Sequence, residues 1–329
     1  MKKILITGGA GFIGYHLTQH LLQDENNEIT LVDNLQRGKM DEDFKSVLAN
    51  EKVEFIQADL TNLEFYQALD TDFDHIYHLA AINGTKSFYD MPEEVLRINA
   101  LSLIYILEWI KKLSHKPKLC FTSSNEAYAS ALSAFGQLLI PTPENVPLVV
   151  DDTYNPRWSY GGTKLIGELF VINYAKAYNF PAVIVRPHNF YGPRAGYGHV
   201  IPEFCQRIMN KIDPFTIYGT DETRTFCYIT DAVKAMQMLM DSPVTDKQPI
   251  ETVHIGDTDE ILMLDLAKKM FAITGWTPQS LNIKQSPAGS VKRRLADISK
   301  IKNLIGWQPE TSLEEGLKKT SNWYQKYPK

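Results

Sequence analysis

The sequence has few cysteines, no long apolar run and no excess of positive charge, and each absence excludes a class of protein. Cys120, Cys205 and Cys227 are an odd number without metal or redox spacing, so they are predicted to be free, buried thiols of a cytoplasmic protein. No apolar stretch approaches the roughly 18 residues of a membrane span. The start, Met1-Lys2-Lys3 before a short apolar run, is typical of a first strand rather than of a signal peptide.

The net charge of the chain and its distribution argue against a nucleic-acid partner. Its 34 Lys and Arg and 39 Asp and Glu give a net charge of −5, with the two signs interspersed. Surfaces that bind nucleic acid cluster positive charge. The short run Lys292-Arg293-Arg294 is too small for that, although it could bind a small anion. The composition is that of an ordinary globular protein.

Short apolar strands alternate with helices in the first half of the chain. This alternation predicts a parallel sheet covered on both faces, with ligands beyond the carboxyl ends of the strands. The strands are predicted at Lys3–Thr7, Glu28–Asp33, Val53–Ala58, His75–Ala80, Lys118–Ser123 and Ala182–Arg186, and the main helices at Gly11–Gln23, Glu93–Leu113 and Tyr160–Tyr178. From about Pro187 the alternation loosens, which predicts a smaller cap.

A glycine-rich turn lies between the first predicted strand and the first helix. Gly8 allows a tight turn, Gly11 lets the backbone approach phosphates, and Gly14 packs helix on strand. The helix start at Phe12 and Ile13 then offers backbone N–H groups and a partial positive charge to a pyrophosphate. The turn therefore predicts a dinucleotide site.

Acidic residues after the next two strands predict where the rest of the dinucleotide lies. Asp33 ends the second strand, nineteen residues beyond Gly14, where a carboxylate binds ribose hydroxyls and repels a 2′-phosphate. The preferred cofactor is therefore NAD rather than NADP, with Asn34 included in its site. Asp59 and Leu60 are predicted at the adenine, although Asp59 could equally cap a helix.

Tyr160 and Lys164 are four residues apart and so share one face of a predicted helix. A nearby ammonium and a positively charged nicotinamide ring both favour phenolate, so we expect the tyrosine pKa to be lowered from about 10. The phenolate could take the proton of a substrate alcohol while hydride leaves its carbon. The pair predicts a redox active site.

Several further segments match a known superfamily. They are Leu79-Ala80-Ala81, Asn99, Ser123-Ser124-Asn125-Glu126-Ala127-Tyr128, residues 186–194 (Arg-Pro-His-Asn-Phe-Tyr-Gly-Pro-Arg), residues 223–228 around Arg224, His254-Ile255-Gly256, Arg294 ahead of Asp297, and Leu304-Ile305-Gly306-Trp307. With the glycine turn, they make essentially the whole chain resemble the extended short-chain dehydrogenase/reductase superfamily, specifically its nucleotide-sugar epimerases and dehydratases.

The resemblance implies a fold, a cofactor and a substrate class. The fold class is α/β, a Rossmann-type doubly wound parallel sheet with a smaller C-terminal α/β substrate-binding cap. Residues 1–187 would form the NAD-binding domain, with roughly residues 226–250 packing back on it, and residues 188–329 would mainly bind the substrate. That substrate would be a nucleotide-diphosphate sugar.

The resemblance also implies roles for individual residues. Ser124 would bind the reacting sugar oxygen and pass its proton to Tyr160, and its alternative is a helix N-cap. Leu79, Ala80 and Ala81 would lie along the cofactor. The residues implied at the substrate are Ser124, Asn125, Asn189, Arg224 and Arg294, the last three at its phosphates, which an arginine fork suits well.

Glu126 decides between the reactions of this family, which share oxidation at sugar C4. The resembling 4,6-dehydratases read Thr-Asp-Glu here, the sugar-acid decarboxylases and GDP-mannose dehydratases Thr-Ser-Glu, and simple 4-epimerases generally lack the Glu. In Ser124-Asn125-Glu126 the base is kept, but Asn125 cannot donate a proton as an acid would. We therefore favour dehydration or decarboxylation assisted by Glu126. The alternatives are 4-epimerisation, a net dehydrogenase and, for Glu126 itself, a cap or surface ion pair.

Two further segments carry expectations with open alternatives. The helices around Ala100–Ile110 and Leu165–Tyr174 are too apolar for one buried face each, which predicts a homodimer unless the monomer buries them. The proline-rich segment Ala129–Arg157 lacks periodicity. It is either a lid or binding loop, or a packed surface excursion.

Overall fold

Seven parallel strands form the central sheet of the computed structural model, which describes residues 1–247, 250–286 and 291–327. With the short strands that lie outside this sheet, the strands of the described residues are β1 (Lys2–Thr7), β2 (Asn27–Asp33), β3 (Val53–Gln57), β4 (His75–His78), β5 (Lys118–Thr122), β6 (Ala182–Pro187), β7 (Phe190–Tyr191), β8 (Phe215–Tyr218), β9 (Thr223–Arg224), β10 (Cys227–Tyr228), β11 (Ile250–Ile255), β12 (Ile261–Leu262), β13 (Leu281–Lys284) and β14 (Arg293–Arg294). The sheet order is β11-β6-β5-β4-β1-β2-β3. The predicted doubly wound sheet is confirmed.

Helices cover both faces of this sheet. Together with those of the C-terminal part, the helices of the described residues are α1 (Phe12–Leu21), α2 (Glu42–Leu48), α3 (Phe65–Ala68), α4 (Thr85–Asp90), α5 (Pro92–Lys112), α6 (Ala131–Phe135), α7 (Trp158–Tyr178), α8 (Val200–Met209), α9 (Ile229–Asp241), α10 (Pro243–Lys247), α11 (Met263–Thr274), α12 (Ser299–Ile305) and α13 (Leu313–Lys326), with a 3₁₀ helix at Asn125–Tyr128. Because side chains alternate along a strand, Ile4 and Ile6 of β1 join the core cluster that contains α1 and α9 residues, whereas Leu5 joins that of α5 and α7.

The strand β11 extends the sheet beyond the six strands that the sequence predicted. It pairs in parallel with β6, from Ile250 opposite Ala182 to Ile255 opposite Pro187. Its outer edge is covered by side chains, because Glu144 accepts the His254 N–H (2.9 Å) and Lys300 donates to the Thr252 carbonyl (2.7 Å). Such covering protects an exposed sheet edge from pairing with another chain.

The C-terminal part packs beside the carboxyl ends of the strands. In the described residues its short strands form three small sheets, β7 with β10, β13 with β8, and β9 between β12 and β14. The helix α9 nevertheless packs against α1, β5 and β6, so part of the second half lies on the central sheet. The division of the chain at residue 187 stays a prediction.

The segment Ala129–Arg157 is attached to the body at several points. Thr142 bridges to Ala296 outside the segment, whereas the Ser130 hydroxyl donates to the Val149 carbonyl within it. Arg186 donates to the Glu144 carbonyl at 2.8 Å. The segment ends at the start of α7, which carries Tyr160, and therefore links the active-site helix to the sheet edge. Within the described parts of the chain, no helix is both long and apolar enough to span a membrane.

Candidate active site

The glycine turn has the shape that a dinucleotide needs. Gly8 has φ +75°, and a Cβ on Gly14 would lie 2.3 Å from the Gly8 carbonyl oxygen, so no side chain fits there. Helix α1 starts after Gly11 without a side-chain cap, which leaves its first N–H groups to bind an anion. Ala80 comes so close that a Cβ on Gly8 would lie 2.9 Å from its nitrogen. These residues fit a bound pyrophosphate.

Asp33 lies beside this turn at the end of β2. Its carboxylate accepts the backbone N–H groups of Ala10 (3.1 Å) and Leu35 (2.8 Å). Burial raises its pKa, which these two hydrogen bonds oppose. Asn34 beside it is exposed and accepts the Gln36 N–H at 3.0 Å. Asp33 thus fixes the turn in addition to the predicted ribose contact.

The other predicted cofactor residues are placed as follows. The Leu79 N–H donates to the Thr7 carbonyl (3.1 Å), so the segment from Leu79 to Ala81 runs beside the glycine turn. Asp59 is exposed and accepts both the N–H and the hydroxyl of Thr61 at 2.8 Å. It closes a local turn instead of capping a helix, and its contact with adenine stays a prediction. Leu60 is buried in the core.

Ser124, Tyr160 and Lys164 converge at the carboxyl end of β5. Ser124 caps the 3₁₀ helix by accepting the Glu126 N–H (3.1 Å), and its hydroxyl lies near enough to the Tyr160 phenol to lower the pKa of that phenol. The Tyr160 ring stacks on Phe88 at 5.0 Å between centroids. Lys164 donates to the Thr122 carbonyl at 2.7 Å. Both roles considered for Ser124, cap and partner of Tyr160, are therefore compatible.

The expected lowering of the Tyr160 pKa is wrong for the protein chain by itself. Burial raises that pKa to about 12, against the Ser124 hydrogen bond and the charge of Arg37, which lower it. Burial also lowers the pKa of Lys164 to about 7, which Glu168 opposes. A half-neutral lysine that points at a backbone carbonyl is not the strong neighbouring cation that the sequence suggested.

Glu126 lies between two arginines at the start of the 3₁₀ helix. Its Oε1 accepts from Arg294 at 2.9 Å and its Oε2 from Arg157 at 3.4 Å. Burial raises the carboxyl pKa, but Arg294 and Arg157 outweigh it, and the net pKa is lowered. All three side chains are less than one-fifth exposed. Arg294 therefore binds Glu126 in this structure, instead of standing free for a phosphate as predicted.

Asn189 and Arg224 line a cavity of about 400 Å³ in the cap. Asn189 has φ +45° and donates to the Thr225 carbonyl (2.9 Å), and Arg224 pairs with Glu222 at 2.6 Å. Phe190, Phe226 and other residues of the cap provide apolar and aromatic walls. Asn125 is buried beside Glu126.

Sequence reasoning missed three charged residues of this region. Arg157 lies three residues before Tyr160, on the same helical side, and this spacing could have identified it. Glu222 lies two residues before Arg224, where an ion pair was foreseeable. Arg37 lies in an irregular loop, and no sequence signal connects it with Tyr160, whose pKa it lowers.

Comparison with known proteins places the chain in a family. The family model of GDP-mannose 4,6 dehydratase matches residues 5–320. The chain belongs to this family. It is 31% identical to the UDP-N-acetyl-alpha-D-glucosaminuronate decarboxylase of Bacillus cytotoxicus over 98% of both chains, and 30% identical to UDP-glucuronic acid decarboxylase 3 of Arabidopsis thaliana over 96% of this chain and 86% of that one.

A solved relative supports the same assignment. UDP-glucuronic acid 4-epimerase from Bacillus cereus, in complex with UDP-glucuronic acid and NAD, superposes with a TM-score of 0.84 at 28% identity, covering 98% of this chain and 99% of that one. The predicted superfamily, fold class and enzymatic nature of the chain are confirmed.

Proposed function

We propose that this protein is an NAD-dependent decarboxylase of a nucleotide-diphosphate uronic acid. The observation that carries the proposal is the ionised Glu126, held between Arg157 and Arg294 beside Ser124 and Tyr160. A dehydration that needs an acid beside Glu126 is disfavoured, because Asn125 supplies none. The curated relatives named above act on UDP-linked sugar acids, which supports a substrate that carries a carboxylate.

The nucleotide-sugar and the cofactor occupy different parts of the cleft. The chain uses NAD, and the glycine turn, Asp33 and the segment from Leu79 to Ala81 would hold it. When bound, NAD accepts hydride from C4 of the sugar and gives a hydride back at the end of the cycle. The cap cavity with Asn189 and Arg224 would hold the nucleotide and its diphosphate, since an arginine fork matches phosphate oxygens.

Tyr160 would take the proton of the C4 hydroxyl through Ser124. A phenol with a pKa of about 12 is mostly protonated at neutral pH, so proton transfer depends on neighbours that stabilise the phenolate. Lys164, with a pKa of about 7, can change its charge at the pH of the reaction. It is therefore suited to hold or release the compensating proton.

The arginine cluster would bind and orient the sugar acid. Arg157 and Arg294 flank Glu126, and the charge of Arg224 also lowers the pKa of Glu126, so this region offers several cations to an anionic substrate group. After oxidation, the carboxylate is β to the C4 ketone. The electrons of the C5–C6 bond then pass to the ketone oxygen as CO₂ leaves, and a proton adds at C5. Glu126 and its arginines would position the carboxylate for this bond cleavage.

The test is incubation with UDP-glucuronic acid and catalytic NAD, followed by NMR and CO₂ detection. We expect a UDP-pentose and one CO₂ per turnover without net NADH. A six-carbon product inverted at C4 would instead establish the second candidate, a 4-epimerase, which the Bacillus cereus structure favours. Glu126→Gln should lose at least tenfold in turnover, because Glu126 no longer compensates the two arginines.

Glu260→Gln is the matched control for this variant. Glu260 pairs with Arg293, the immediate neighbour of Arg294, at 2.6 Å. The Glu260→Gln variant removes a carboxylate that pairs with Arg293, which lies on the same strand as Arg294 but outside the predicted site. An equal loss in both variants would contradict a role specific to Glu126.

The proposal includes a homodimer in the cytoplasm. Apolar side chains on neighbouring helices α5 and α7 remain exposed, with Leu96 at 47%, Ile166 at 47% and Leu169 at 53%. A second copy of these helices would cover them. The free cysteines are buried, which supports a reducing compartment.

A further inference from the structure

The loop between β2 and α2 is fixed at both ends. At its start, Asp33 accepts the N–H groups of Ala10 and Leu35. At its end, Asp41 caps α2 and binds Arg194 of the cap region at 2.9 Å and 3.0 Å. Seven residues between these anchors therefore have a defined path across the cofactor cleft.

The middle of this loop lies directly on the glycine turn. A Cβ on Gly38 would lie 2.6 Å from the Ala10 Cβ and 3.0 Å from its carbonyl carbon. Only a glycine allows this approach. The residue before it, Arg37, is thus brought to the open side of the predicted pyrophosphate site.

The Arg37 guanidinium lies between loops from the two halves of the chain. A Cβ built on Gly84, after β4, or on Gly196, in the cap region, would lie 3.9 Å from its Nη2. The charge of Arg37 lowers the pKa of Tyr160 and that of His199. Arg37 has neither a hydrogen bond nor an ion pair within the described ranges, so its N–H groups are available to a ligand.

The glycine turn itself supplies no cationic side chain to the predicted pyrophosphate site. The turn from Gly8 to Gly14 contains no lysine, arginine or histidine, and the α1 terminus supplies only about half a positive charge. Asp33 adds a negative one. A diphosphate carries two negative charges, and an arginine fork can bind two of its oxygens.

We propose that Arg37 binds the diphosphate of NAD from the side opposite α1 and retains the cofactor between turnovers. It closes the cleft by bridging the glycine turn to the loops at Gly84 and Gly196. The inference concerns the cofactor alone and does not depend on which sugar is the substrate. A recycled cofactor needs such retention, because hydride must return to the same sugar.

The test compares Arg37→Ala with Lys39→Ala by titrating the purified protein, stripped of nucleotide, with NADH and following its fluorescence. Lys39 is an exposed cation of the same loop and controls for net charge. A charge-assisted hydrogen bond is worth about tenfold or more in binding. We expect the NADH dissociation constant to rise about tenfold or more in Arg37→Ala, to change less than twofold in Lys39→Ala, and to recover partly in Arg37→Lys.

Ligand fragments identify the group that Arg37 contacts. The affinity for ADP-ribose, which keeps the diphosphate, should fall in Arg37→Ala by the same factor as the affinity for NADH. Adenosine should bind the wild type and Arg37→Ala equally. Equal losses in the two alanine variants, an unchanged NADH affinity, or a loss confined to NADPH would each overturn the proposal. Thermal unfolding confirms that the variants are folded. These measurements use no sugar, so their outcome is separate from that of the decarboxylase assay.

Discussion

At the scale of single residues, burial decides the protonation behaviour of the site. Lys164 has a pKa of about 7 in the folded protein because its ammonium is desolvated, against about 10.4 in an unfolded chain. Between these values the unfolded chain binds more protons than the folded one. Stability therefore rises with pH across this window and does not change further below it.

Lys164→Met should remove this contribution. We expect the free energy of unfolding of the wild type, relative to that of the variant, to increase from pH 7 to pH 9.5, and urea titrations at both values measure it. A constant difference between the two proteins would show that Lys164 is charged in the folded state throughout. Tyr160→Phe, which keeps the ring on Phe88, should retain the wild-type pH dependence while losing turnover.

A second prediction for a single residue concerns Gly14 and the binding of the cofactor. A Cβ at this position would lie 2.3 Å from the Gly8 oxygen and 2.8 Å from the Gly9 Cα, and backbone atoms cannot yield as a flexible side chain can. Gly14→Ala should therefore distort the turn and weaken NADH binding by at least tenfold, measured by fluorescence titration. Wild-type affinity would mean that the turn does not form the pyrophosphate site.

At the scale of elements, a buried ion pair joins helix α7 to strand β6. Arg186 donates to both carboxylate oxygens of Glu168 at 2.8 Å, and both side chains are 4% exposed. Arg186 also holds the Glu144 carbonyl of the segment Ala129–Arg157. The pair thus positions the helix of Tyr160 and the segment before it against the sheet.

Removing one partner of this ion pair should lower the free energy of unfolding more than replacing both partners with apolar residues. Arg186→Met leaves the Glu168 carboxylate buried without its partner, and we expect a loss of about 3–5 kcal/mol in unfolding free energy. The double variant Glu168→Leu with Arg186→Met should recover much of it, because no charge is then buried unpaired. Urea unfolding of the three proteins measures both effects. A double variant as unstable as Arg186→Met would assign the loss to packing instead.

The strands and their contacts show which parts of the fold and of the site could be predicted from the sequence. Six strands of the sheet were predicted because short apolar runs alternate with helices in the first half of the chain, whereas β11 lies beyond Pro187, where that alternation loosens. Its edge is satisfied by Glu144 and Lys300 from distant segments, which no local pattern reveals. The structure brings Ser124, Tyr160 and Lys164 together at the end of β5, and their catalytic roles stay predictions. An ion pair was considered for Glu126, but its partners Arg157 and Arg294 were not foreseen, since they are distant in the sequence.

At the scale of the whole molecule, the exposed apolar face of α5 and α7 argues for association. Leu96, Ile166 and Leu169 are each about half exposed on adjacent helices, and a monomer rarely leaves such a contiguous apolar patch uncovered. A two-fold axis through this face would pair each helix with its copy and leave both active-site clefts open. Tyr160 and Lys164 lie on α7, so the interface would also fix the helix that carries them.

Leu169→Asp tests this assembly. A charge placed in an apolar interface is not compensated, so we expect light scattering to give about 75 kDa for the wild type, twice the 37.4 kDa of the chain, and the monomer mass for the variant. Leu281→Asp, at a site 39% exposed on β13 and far from this face in the sequence, should remain a dimer. If both variants keep the wild-type mass, the face is not the interface. A wild-type monomer would show that solvent, and not a second copy, contacts these side chains.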